Sequence, residues 1–297
     1  MKPASNKLPE SLIGMTTPTE RAYLLNYTQT TYTGQGEVVD LGSWLGSLTI
    51  PLLIGLRQNP TWNSQARGLH AYDLFTWADW MERYYNEKYF SRPMKNGDSF
   101  LGDFSKQVTP YDPQNRLVIH AGDLNQAGWK GTPIELLVVD VMKSLELANT
   151  VLRDFYPFLI PGVSHVMHQD FIHYYTPWIH LIHYRLRDYF EPIQDIPQSS
   201  SIVFRLKKSL PAELTRKGYT FADFKETEIE EAFAYSCSLL DMSEEWRKAE
   251  MAAVHAMAYY HQNQVEKAQR VIKKAVESGI PLTHGLKLAQ DLIDSKR

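Results

Sequence analysis

The feature that most constrains the fold is a series of short apolar segments along the first two thirds of the chain. The segments are 37–41 (EVVDL), 69–74 (LHAYDL), 116–121 (RLVIHA), 135–140 (ELLVVD), 163–170 (VSHVMHQD) and 201–206 (SIVFRL). Helical stretches separate them. Near-continuous apolar strands that alternate with helices indicate a mostly parallel sheet with helices on both faces. We therefore predict an α/β chain.

The ends of the chain differ from this pattern. A helix is predicted over 18–33, beginning after Thr17 and ending at the glycine-rich turn 34–36. Residues 243–262 and 264–278 have helical spacing and resemble a single helix-turn-helix of the tetratricopeptide kind, which alone lacks the stacked neighbours of a solenoid. We predict three parts, which are an N-terminal helical segment (1–36), a sheet domain (37–210) and a C-terminal helical extension (211–297).

Two connections stand out for their composition. Residues 85–114 are rich in Lys, Asp, Gly and Pro, which predicts a long lid or binding loop. The proline-rich stretch 191–200 (EPIQDIPQSS) is predicted to be a connection before the last strand.

Composition excludes some classes of function. The chain has 31 basic and 34 acidic residues, a net charge of −3, so it offers no basic field for nucleic acid. Its single cysteine, Cys237, excludes an internal disulfide and is typical of a reducing compartment. No segment has the roughly 20 apolar residues of a membrane span, and the N-terminus lacks the apolar core of a signal peptide. We expect a soluble cytoplasmic protein without membrane or nucleic-acid partners.

The first strand ends in a glycine turn with the spacing D-x-G-x-x-x-G, formed by Asp40, Gly42 and Gly46. Gly42 permits a tight turn, and Gly46 lets the following helix pack closely. The dinucleotide fingerprint G-x-G-x-x-G is absent, and a carboxylate on the strand would repel phosphate. It suits a cationic ligand such as S-adenosylmethionine (SAM), which carries a sulfonium and an ammonium.

Acidic residues also end the next two strands. Asp73 is placed to accept hydrogen bonds from ribose hydroxyls, and Gly122-Asp123 is placed to face an adenine amino group. The predicted cofactor-binding residues are Asp40, Gly42, Ser43, Trp44, Gly46, Asp73, Leu74, Gly122, Asp123 and Leu124.

Over about residues 15–210 the chain resembles the class I SAM-dependent methyltransferases. The segment MTTPTERAYLLNYTQTTYTGQGEVVDLGSWLGSLT (15–49) is similar to the N-terminal part of the macrocin O-methyltransferase family, with its threonine-rich start, helix, Gly-containing turn, acidic strand and glycine loop. The resemblance implies a Rossmann-like, seven-stranded, mostly parallel sheet with SAM over the carboxyl ends of its first strands.

The fourth strand ends in LLVVDVMKS (136–144). Its D-x-x-K spacing, Asp140 to Lys143, resembles the catechol O-methyltransferase pattern, in which the aspartate binds a metal and the lysine is the base. That resemblance implies Mg²⁺ held by Asp140, Gln169 and Asp170, with Lys143 as the base. The fifth-strand pair of that pattern is Asp-Asn, whereas this chain has Gln-Asp.

The macrocin-type pattern gives a different alignment. It has D-G-D on strand four and Asp-Asp on strand five, so Val138 and Gln169 replace two metal ligands and Asp140 falls on the proposed base. A metal-free enzyme with Asp140 or a histidine as base therefore stays open, as does a purely structural Asp140–Lys143 ion pair. His168, beside the end of strand five, is the candidate histidine.

Residues 165–190 hold five histidines and many aromatic residues. No zinc-binding spacing is present, and His180 and His183, one helical turn apart, are interpreted as packing residues. The aromatic residues predicted to form a wall for a planar or sugar ring are Phe171, Tyr174, Tyr175 and Trp178.

We predict a SAM-dependent O-methyltransferase, assisted by Mg²⁺, that acts on a hydroxyl of a small molecule such as a sugar or phenol of secondary metabolism. A metal-independent methyltransferase and a non-catalytic SAM-binding interaction subunit are the alternatives. Nicotinamide-dependent redox chemistry would need a phosphate cradle that the first loop does not offer. Homo-oligomerisation through the helical segments stays open.

Overall fold

The computed structural model describes residues 6–64, 67–129 and 131–296. Within these ranges seven strands form one sheet in the order β3-β2-β1-β4-β5-β7-β6. The strands are β1 (Glu37–Leu41), β2 (Leu69–Asp73), β3 (Leu117–Ala121), β4 (Ile134–Val139), β5 (His165–His168), β6 (Phe190–Asp195) and β7 (Ile202–Leu206). Strand β1 pairs in parallel with β2 and β4, β2 pairs in parallel with β3, and β6 pairs antiparallel with β7. The predicted seven-stranded, mostly parallel sheet is confirmed.

The described residues also form twelve α-helices. The α-helices are α1 (Pro18–Asn26), α2 (Thr49–Gln58), α3 (Pro60–Ser64), α4 (Leu101–Val108), α5 (Leu124–Ala127), α6 (Leu145–Asp154), α7 (Pro177–Leu186), α8 (Ala212–Thr215), α9 (Glu226–Ser238), α10 (Glu245–His261), α11 (Val265–Glu277) and α12 (His284–Asp294). None of the described helices is both long enough and apolar enough to cross a bilayer.

The chain divides into two compact units. The first comprises the described residues up to Asp140 together with Phe158–Val166 and Ile196–Ser199. The second comprises Val141–Pro157, Met167–Asp195 and the described residues from Ser200 onward. The predicted boundaries at 36/37 and 210/211 stay a prediction.

The first unit contains the parallel strands β3-β2-β1-β4. All five residues of β1 and all six of β4 are buried, which explains why these segments are apolar without alternation. Their pairing places Asp40 between Ala71 of β2 and Val138 of β4. The carboxyl ends of the four strands therefore lie at one edge, where the acidic residues follow.

The predicted helix 18–33 is observed as α1 followed by one π-helical turn at Tyr27–Thr31. Thr17 and Glu20 form a capping box at its start, with Thr17 N–H donating to the Glu20 carboxylate at 2.6 Å. Thr28 Oγ1 donates to the Leu24 carbonyl at 2.7 Å. Side-chain bonding of this kind competes with the regular helical ladder.

The segment 85–114 differs from the predicted loop because it contains α4. Phe100, Phe104 and Val108 lie four residues apart and are fully buried, so they form one apolar face. Glycine, proline and charged residues surround these three positions, so the helical spacing of the apolar residues is not evident in the sequence. This face of α4 is consequently part of the first unit's core, whereas most of residues 85–99 are exposed or half-buried.

In the second unit, the proline-rich stretch after Phe190 differs from the predicted connection because it forms β6. Pro192 lies where the register between β6 and β7 shifts, and β6 is the last strand in the sheet order. Proline is tolerated at such edge and bulge positions because no ladder hydrogen bond needs its missing N–H.

The C-terminal helices form a cluster larger than a single helix-turn-helix. Helices α10 and α11 correspond closely to the predicted helices 243–262 and 264–278, and α10 also packs against α7, α9 and α12. Arg247 of α10 is buried and pairs with Asp195 of β6, with Nη2 2.8 Å from Oδ1. The helical extension is therefore joined to the end of the sheet within this unit.

Candidate active site

The turn after β1 requires glycine at position 42. Gly42 has φ of +92°, and a Cβ atom there would lie 2.7 Å from the Asp140 carbonyl oxygen. The N–H groups of Gly42 and Ser43 both donate to the Tyr72 carbonyl, at 2.8 and 3.1 Å. The turn is thus clamped between the ends of β2 and β4, which only a residue without a side chain permits.

Gly46 has the packing role expected from its spacing. Its φ is +87°, and a Cβ atom would lie 2.8 Å from Cγ1 of Val108 on α4. Its N–H donates to the Ser43 carbonyl at 2.7 Å, which closes the turn before α2 begins.

Asp40 is a completely buried acid at the end of β1. Its Oδ2 accepts a hydrogen bond from Thr49 at 2.6 Å, while within the described part of the chain Oδ1 has no hydrogen-bond partner. Burial raises the pKa of Asp40 to about 6, the hydroxyl groups of Thr49 and Ser43 oppose the shift, and the nearby Asp73 adds to it. A buried carboxylate with an unsatisfied oxygen is stabilised by a cation, so this acid fits a positively charged ligand.

Asp73 organises the next part of this edge. Its two carboxylate oxygens accept the N–H groups of Trp44 at 2.9 Å and of Phe75 at 2.7 Å. Trp44 and Phe75 both have positive φ, +41° and +50°, a conformation unfavourable for bulky residues. Burial raises the pKa of Asp73, and these hydrogen bonds oppose the shift. Each oxygen keeps a second lone pair for a ligand hydroxyl.

The surface beside Asp73 is open. Leu74 is 61% exposed, and a Cβ at Gly122 would meet no heavy atom within 4 Å. Asp123 caps α5 by accepting the Asn125 N–H at 2.9 Å, and Leu124 is buried. An exposed apolar side chain next to a hydrogen-bonding acid can take up the flat face and the hydroxyls of a nucleoside.

Asp140 completes the same edge from β4. Its N–H donates to the Leu41 carbonyl at 2.8 Å, so it directly adjoins the end of β1. The structure thereby brings the predicted residues of strands one to four together in the first unit. That these residues bind a cofactor stays a prediction.

Lys143 lies in the second unit and forms an ion pair with Asp170, the second residue after β5. The lysine side chain is 51% exposed and the aspartate 13%. Burial lowers the pKa of the nearby His173, with Asp170 opposing the shift. The Lys143–Asp170 ion pair and the neighbouring His173, whose lowered pKa favours the neutral form, thus form one polar cluster in this unit.

The predicted magnesium ligands do not fit a resident cation as they stand. Asp170 already accepts from the Lys143 ammonium, and the side chain of Gln169 is buried. Among the described residues no three His, Cys, Asp or Glu side chains are grouped so that they could hold a metal. Magnesium stays a prediction, and no chemical step is derived through it.

His168 lies in the core and not at a surface. Its Nε2 is 2.9 Å from the Tyr156 hydroxyl and 2.9 Å from Nε2 of His183. Burial lowers the pKa of His168 to about 3. This environment does not favour the predicted role of His168 as a base. His180 is also fully buried and bonds to Ser236 at 2.9 Å, in agreement with its interpretation as a packing residue.

The predicted aromatic wall is only partly at the surface. Phe171 and Trp178 are core residues, and the Trp178 indole N–H donates to the Met142 carbonyl at 2.8 Å. Tyr175 is the member that is exposed, at 37%. The sequence pattern does not separate these cases because the aromatic residues occur in one unbroken run.

Sequence reasoning missed Thr49 and Tyr72 at this edge. Thr49 is the first residue of α2, and its hydroxyl donates a hydrogen bond to the Asp40 carboxylate. Tyr72 stacks on His120 with ring centroids 4.0 Å apart. The one available signal for Thr49 was a hydroxyl residue at the expected start of the helix that follows the glycine turn.

Comparisons with known proteins give a structural relationship only. No protein-family model and no curated protein matches the chain. Among solved structures, the O-methyltransferase NovP superposes with a TM-score of 0.51 at 15% identity, covering 67% of this chain and 84% of that protein. The chain has the SAM-dependent methyltransferase fold. CalS11, a calicheamicin methyltransferase, matches at 17% identity and a TM-score of 0.44, covering 62% of this chain and 76% of that one.

In this methyltransferase fold, the edge formed by Gly42, Asp73, Gly122 and Asp140 is at the carboxyl ends of parallel strands. Open α/β sheets bind ligands at that end of their strands.

Proposed function

We propose that the protein is a SAM-dependent O-methyltransferase that acts on a hydroxyl group of a small molecule, a sugar or a phenol. The observation that carries the proposal is the buried Asp40 carboxylate, with its unsatisfied oxygen, beside a glycine turn in a methyltransferase fold. NovP is itself described as an O-methyltransferase.

The charges of the site support SAM over a phosphorylated coenzyme. Asp40 and Asp73 lie on neighbouring strands, and the turn 40–46 contains no Lys or Arg. A diphosphate would face two carboxylates there, whereas a sulfonium and an ammonium would be attracted. The proposed cofactor contacts are those predicted above, with Asp73 for the ribose and Leu74 for the adenine face.

When bound, SAM supplies an electrophilic methyl group. The acceptor hydroxyl oxygen forms a bond to that methyl carbon while the carbon–sulfur bond breaks, and the hydroxyl proton passes to a base. We propose Asp140 as the base because it directly follows β4 and lies beside Gly42. Positioning and proton removal are the two contributions that this chain can make. Lys143 is the alternative base, after it has lost its proton.

Calorimetry with SAM and with NAD⁺ tests the cofactor. We expect SAM to bind in the micromolar range (roughly 10⁻⁶ M) and NAD⁺ to show no heat at the same concentrations. Tighter binding of NAD⁺ would overturn the proposal. Transfer of a labelled methyl group from SAM to a panel of phenols and sugars then tests the acceptor class.

A second candidate function, an interaction subunit, rests on the C-terminal helices. Residues of α11 and α12 line an open groove of about 750 Å³, and Val276, one of its lining residues, is 47% exposed. SAM binding without methyl transfer to any panel compound, together with co-purification of a partner that a Val276→Lys variant fails to retain, would favour that reading.

A further inference from the structure

Strand β3 forms one of the two edges of the sheet and is open along its outer side. It comes first in the strand order, and among the described elements only β2 is in extensive contact with it. Its five residues, LVIHA, are all exposed or half-buried, in contrast to the fully buried β1 and β4. An edge strand presents unpaired backbone groups to any strand that can align with it.

The hydrogen bonds between β2 and β3 show which backbone groups of β3 point outward. The Leu69 N–H donates to the Arg116 carbonyl at 3.2 Å, and the Gly122 N–H donates to the Asp73 carbonyl at 3.0 Å. Alternate residues of a parallel strand bond to the same neighbour, so the even-numbered residues from 116 to 122 bond to β2. The outward groups are those of Leu117, Ile119 and Ala121.

The start of this edge is already closed within the chain. The Leu117 N–H donates to Oδ2 of Asp112 at 2.8 Å. The outward N–H and C=O groups of Ile119 and Ala121 have no hydrogen-bond partner within the described residues. Ile119, at the centre of the strand, therefore offers one free donor and one free acceptor.

The opposite edge of the sheet, β6, is protected against pairing. Its sequence FEPIQD contains a proline and two acids, and its register with β7 shifts between Pro192 and Gln194. Proline, charged side chains and bulges are the features that keep natural edge strands apart. Strand β3 has none of them. Its register with β2 is unbroken, and burial lowers the pKa of His120 to about 4, so the strand is uncharged at neutral pH.

The outer edge of β3 is complementary to itself. A two-fold axis at Ile119 would pair two copies antiparallel, with residue 117 opposite residue 121 and residue 118 opposite residue 120. Ile119 would exchange both backbone hydrogen bonds with Ile119 of the second copy, and the Ala121 N–H would meet the Leu117 carbonyl. Val118, which is 41% exposed, would be covered by His120 of the second copy.

The charges at the two ends of the strand favour the same arrangement. Arg116 directly precedes β3, and Asp123 follows it by two residues. Nη1 of Arg116 donates to the Trp62 carbonyl, while the other guanidinium donors have no partner among the described residues. Antiparallel pairing brings Arg116 of each copy towards Asp123 of the other, and opposite charges on paired strands stabilise the pairing.

We infer that the protein forms a two-fold dimer in which the β3 edges of two copies pair antiparallel about Ile119 and join their sheets. Each copy has one such edge, so the assembly stops at two chains. A pair of five-residue strands gives an interface smaller than the roughly 1,600 Å² of a standard complex, so we expect a weak dimer with a Kd on the order of 10 μM. The inference concerns the edge of the first unit and does not depend on the proposed function.

Sedimentation equilibrium of the full chain between about 1 and 200 μM tests the dimer. We expect the mean mass to rise with concentration from that of one chain towards that of two. Val118→Lys places a charge on the exposed side of each strand and should weaken the dimer by at least about tenfold. The matched control is Ile193→Lys, because Ile193 is 42% exposed and lies on β6, and this variant should dimerise as the parent does.

Ile119→Pro tests the backbone hydrogen bonds directly. Proline removes an outward N–H that the ladder with β2 does not use, and edge strands tolerate it at such positions. The fold should therefore persist while the dimer weakens by about tenfold or more. Hydrogen–deuterium exchange at single-residue resolution gives a second measurement. Protection of the Ile119 and Ala121 amides in the parent should grow with concentration, whereas that of Leu117, which Asp112 already holds, should not.

Four results would each overturn the inference. They are a one-chain mass at every concentration, a dimer that Val118→Lys retains, equal weakening by Ile193→Lys, and masses beyond two chains. Val118→Lys decides the question even where Ile119→Pro does not fold.

Discussion

At the scale of single residues, the acids at the strand ends differ in burial, hydrogen bonding and position. Asp40 is buried with an unsatisfied oxygen, Asp73 accepts one N–H on each oxygen and keeps a second lone pair on each, and Asp140 adjoins the glycine turn. The three carboxylates should therefore respond differently to substitution.

Asp73→Ala should weaken SAM binding by roughly tenfold to a hundredfold, about the loss of one or two hydrogen bonds to a charged group. It removes the proposed ribose contact and also the acceptors that hold Trp44 and Phe75 at positive φ. Calorimetry measures the affinity, with the exposed Asp79→Ala as the matched control. An unchanged Kd in Asp73→Ala would remove Asp73 from the cofactor site.

Asp140→Asn should reduce kcat by a factor of about 10²–10⁴, the range for loss of a general base, while SAM affinity stays within about twofold. The amide keeps the shape of the side chain but does not accept a proton at neutral pH. Turnover is followed by transfer of labelled methyl to the acceptor found in the panel. Equal losses of kcat and of SAM affinity would contradict the assignment. Full activity in Asp140→Asn with loss in Lys143→Met would transfer the base to the lysine.

SAM affinity should rise with pH through about 6, because burial raises the pKa of Asp40 to about 6 and the cation prefers the ionised form. Only about a tenth of Asp40 is ionised at pH 5, so the affinity should grow by up to about tenfold by pH 7. Stability of the free protein should change in the opposite sense. The folded state holds this proton between about pH 4 and 6 while the unfolded state has lost it, so unfolding becomes easier as the pH rises across that window. Asp40→Asn should abolish both trends, and trends that persist in it would exclude Asp40.

At the scale of elements, sequence patterns located the parts that are wholly apolar or strictly periodic. The buried strands β1 and β4 and the amphipathic helix α11 were predicted to within about two residues. Strand β6 and helix α4 were missed because proline and charged residues dominate their local composition, while their burial depends on distant partners. Tertiary packing determines the secondary structure of both segments, and the local sequence pattern does not indicate that packing.

Gly46→Ala tests whether the turn after β1 requires a residue without a side chain at position 46. Positive φ and the 2.8 Å approach to Val108 should together lower the free energy of unfolding by about 2 kcal/mol or more. Gly102→Ala is the matched control, since Gly102 lies in α4, is exposed, and a Cβ there would meet nothing within 4 Å. Urea unfolding should show the control equal to or slightly more stable than the parent. A Gly46→Ala variant as stable as the control would show that the turn tolerates a side chain.

At the scale of the whole molecule, the sequence predicted the fold and the acidic edge but not the partners of the charged residues. The spacing of Asp140 and Lys143 suggested a local pair, which stays a prediction, and it gave no sign that Lys143 pairs with Asp170, 27 residues further along the chain. The buried network of His168, His183 and Tyr156 was likewise not predicted, because its members come from different segments of the chain. Contacts between segments are set by the packing of the sheet and helices, which a single sequence does not display.

The ion pair between Lys143 and Asp170 bears on whether the enzyme depends on a metal. Binding of Mg²⁺ by the predicted ligands would require Asp170 to exchange the Lys143 ammonium for the cation, and a hard cation prefers several oxygen ligands and water. We therefore expect methyl transfer to keep its rate within about twofold after exhaustive treatment with EDTA, since Asp140 can act as base without a metal. Asp170→Asn is the informative variant, because it breaks the ion pair while keeping an oxygen donor. Loss of activity on chelation that Mg²⁺ restores and Na⁺ does not would establish the magnesium-assisted mechanism in place of this one.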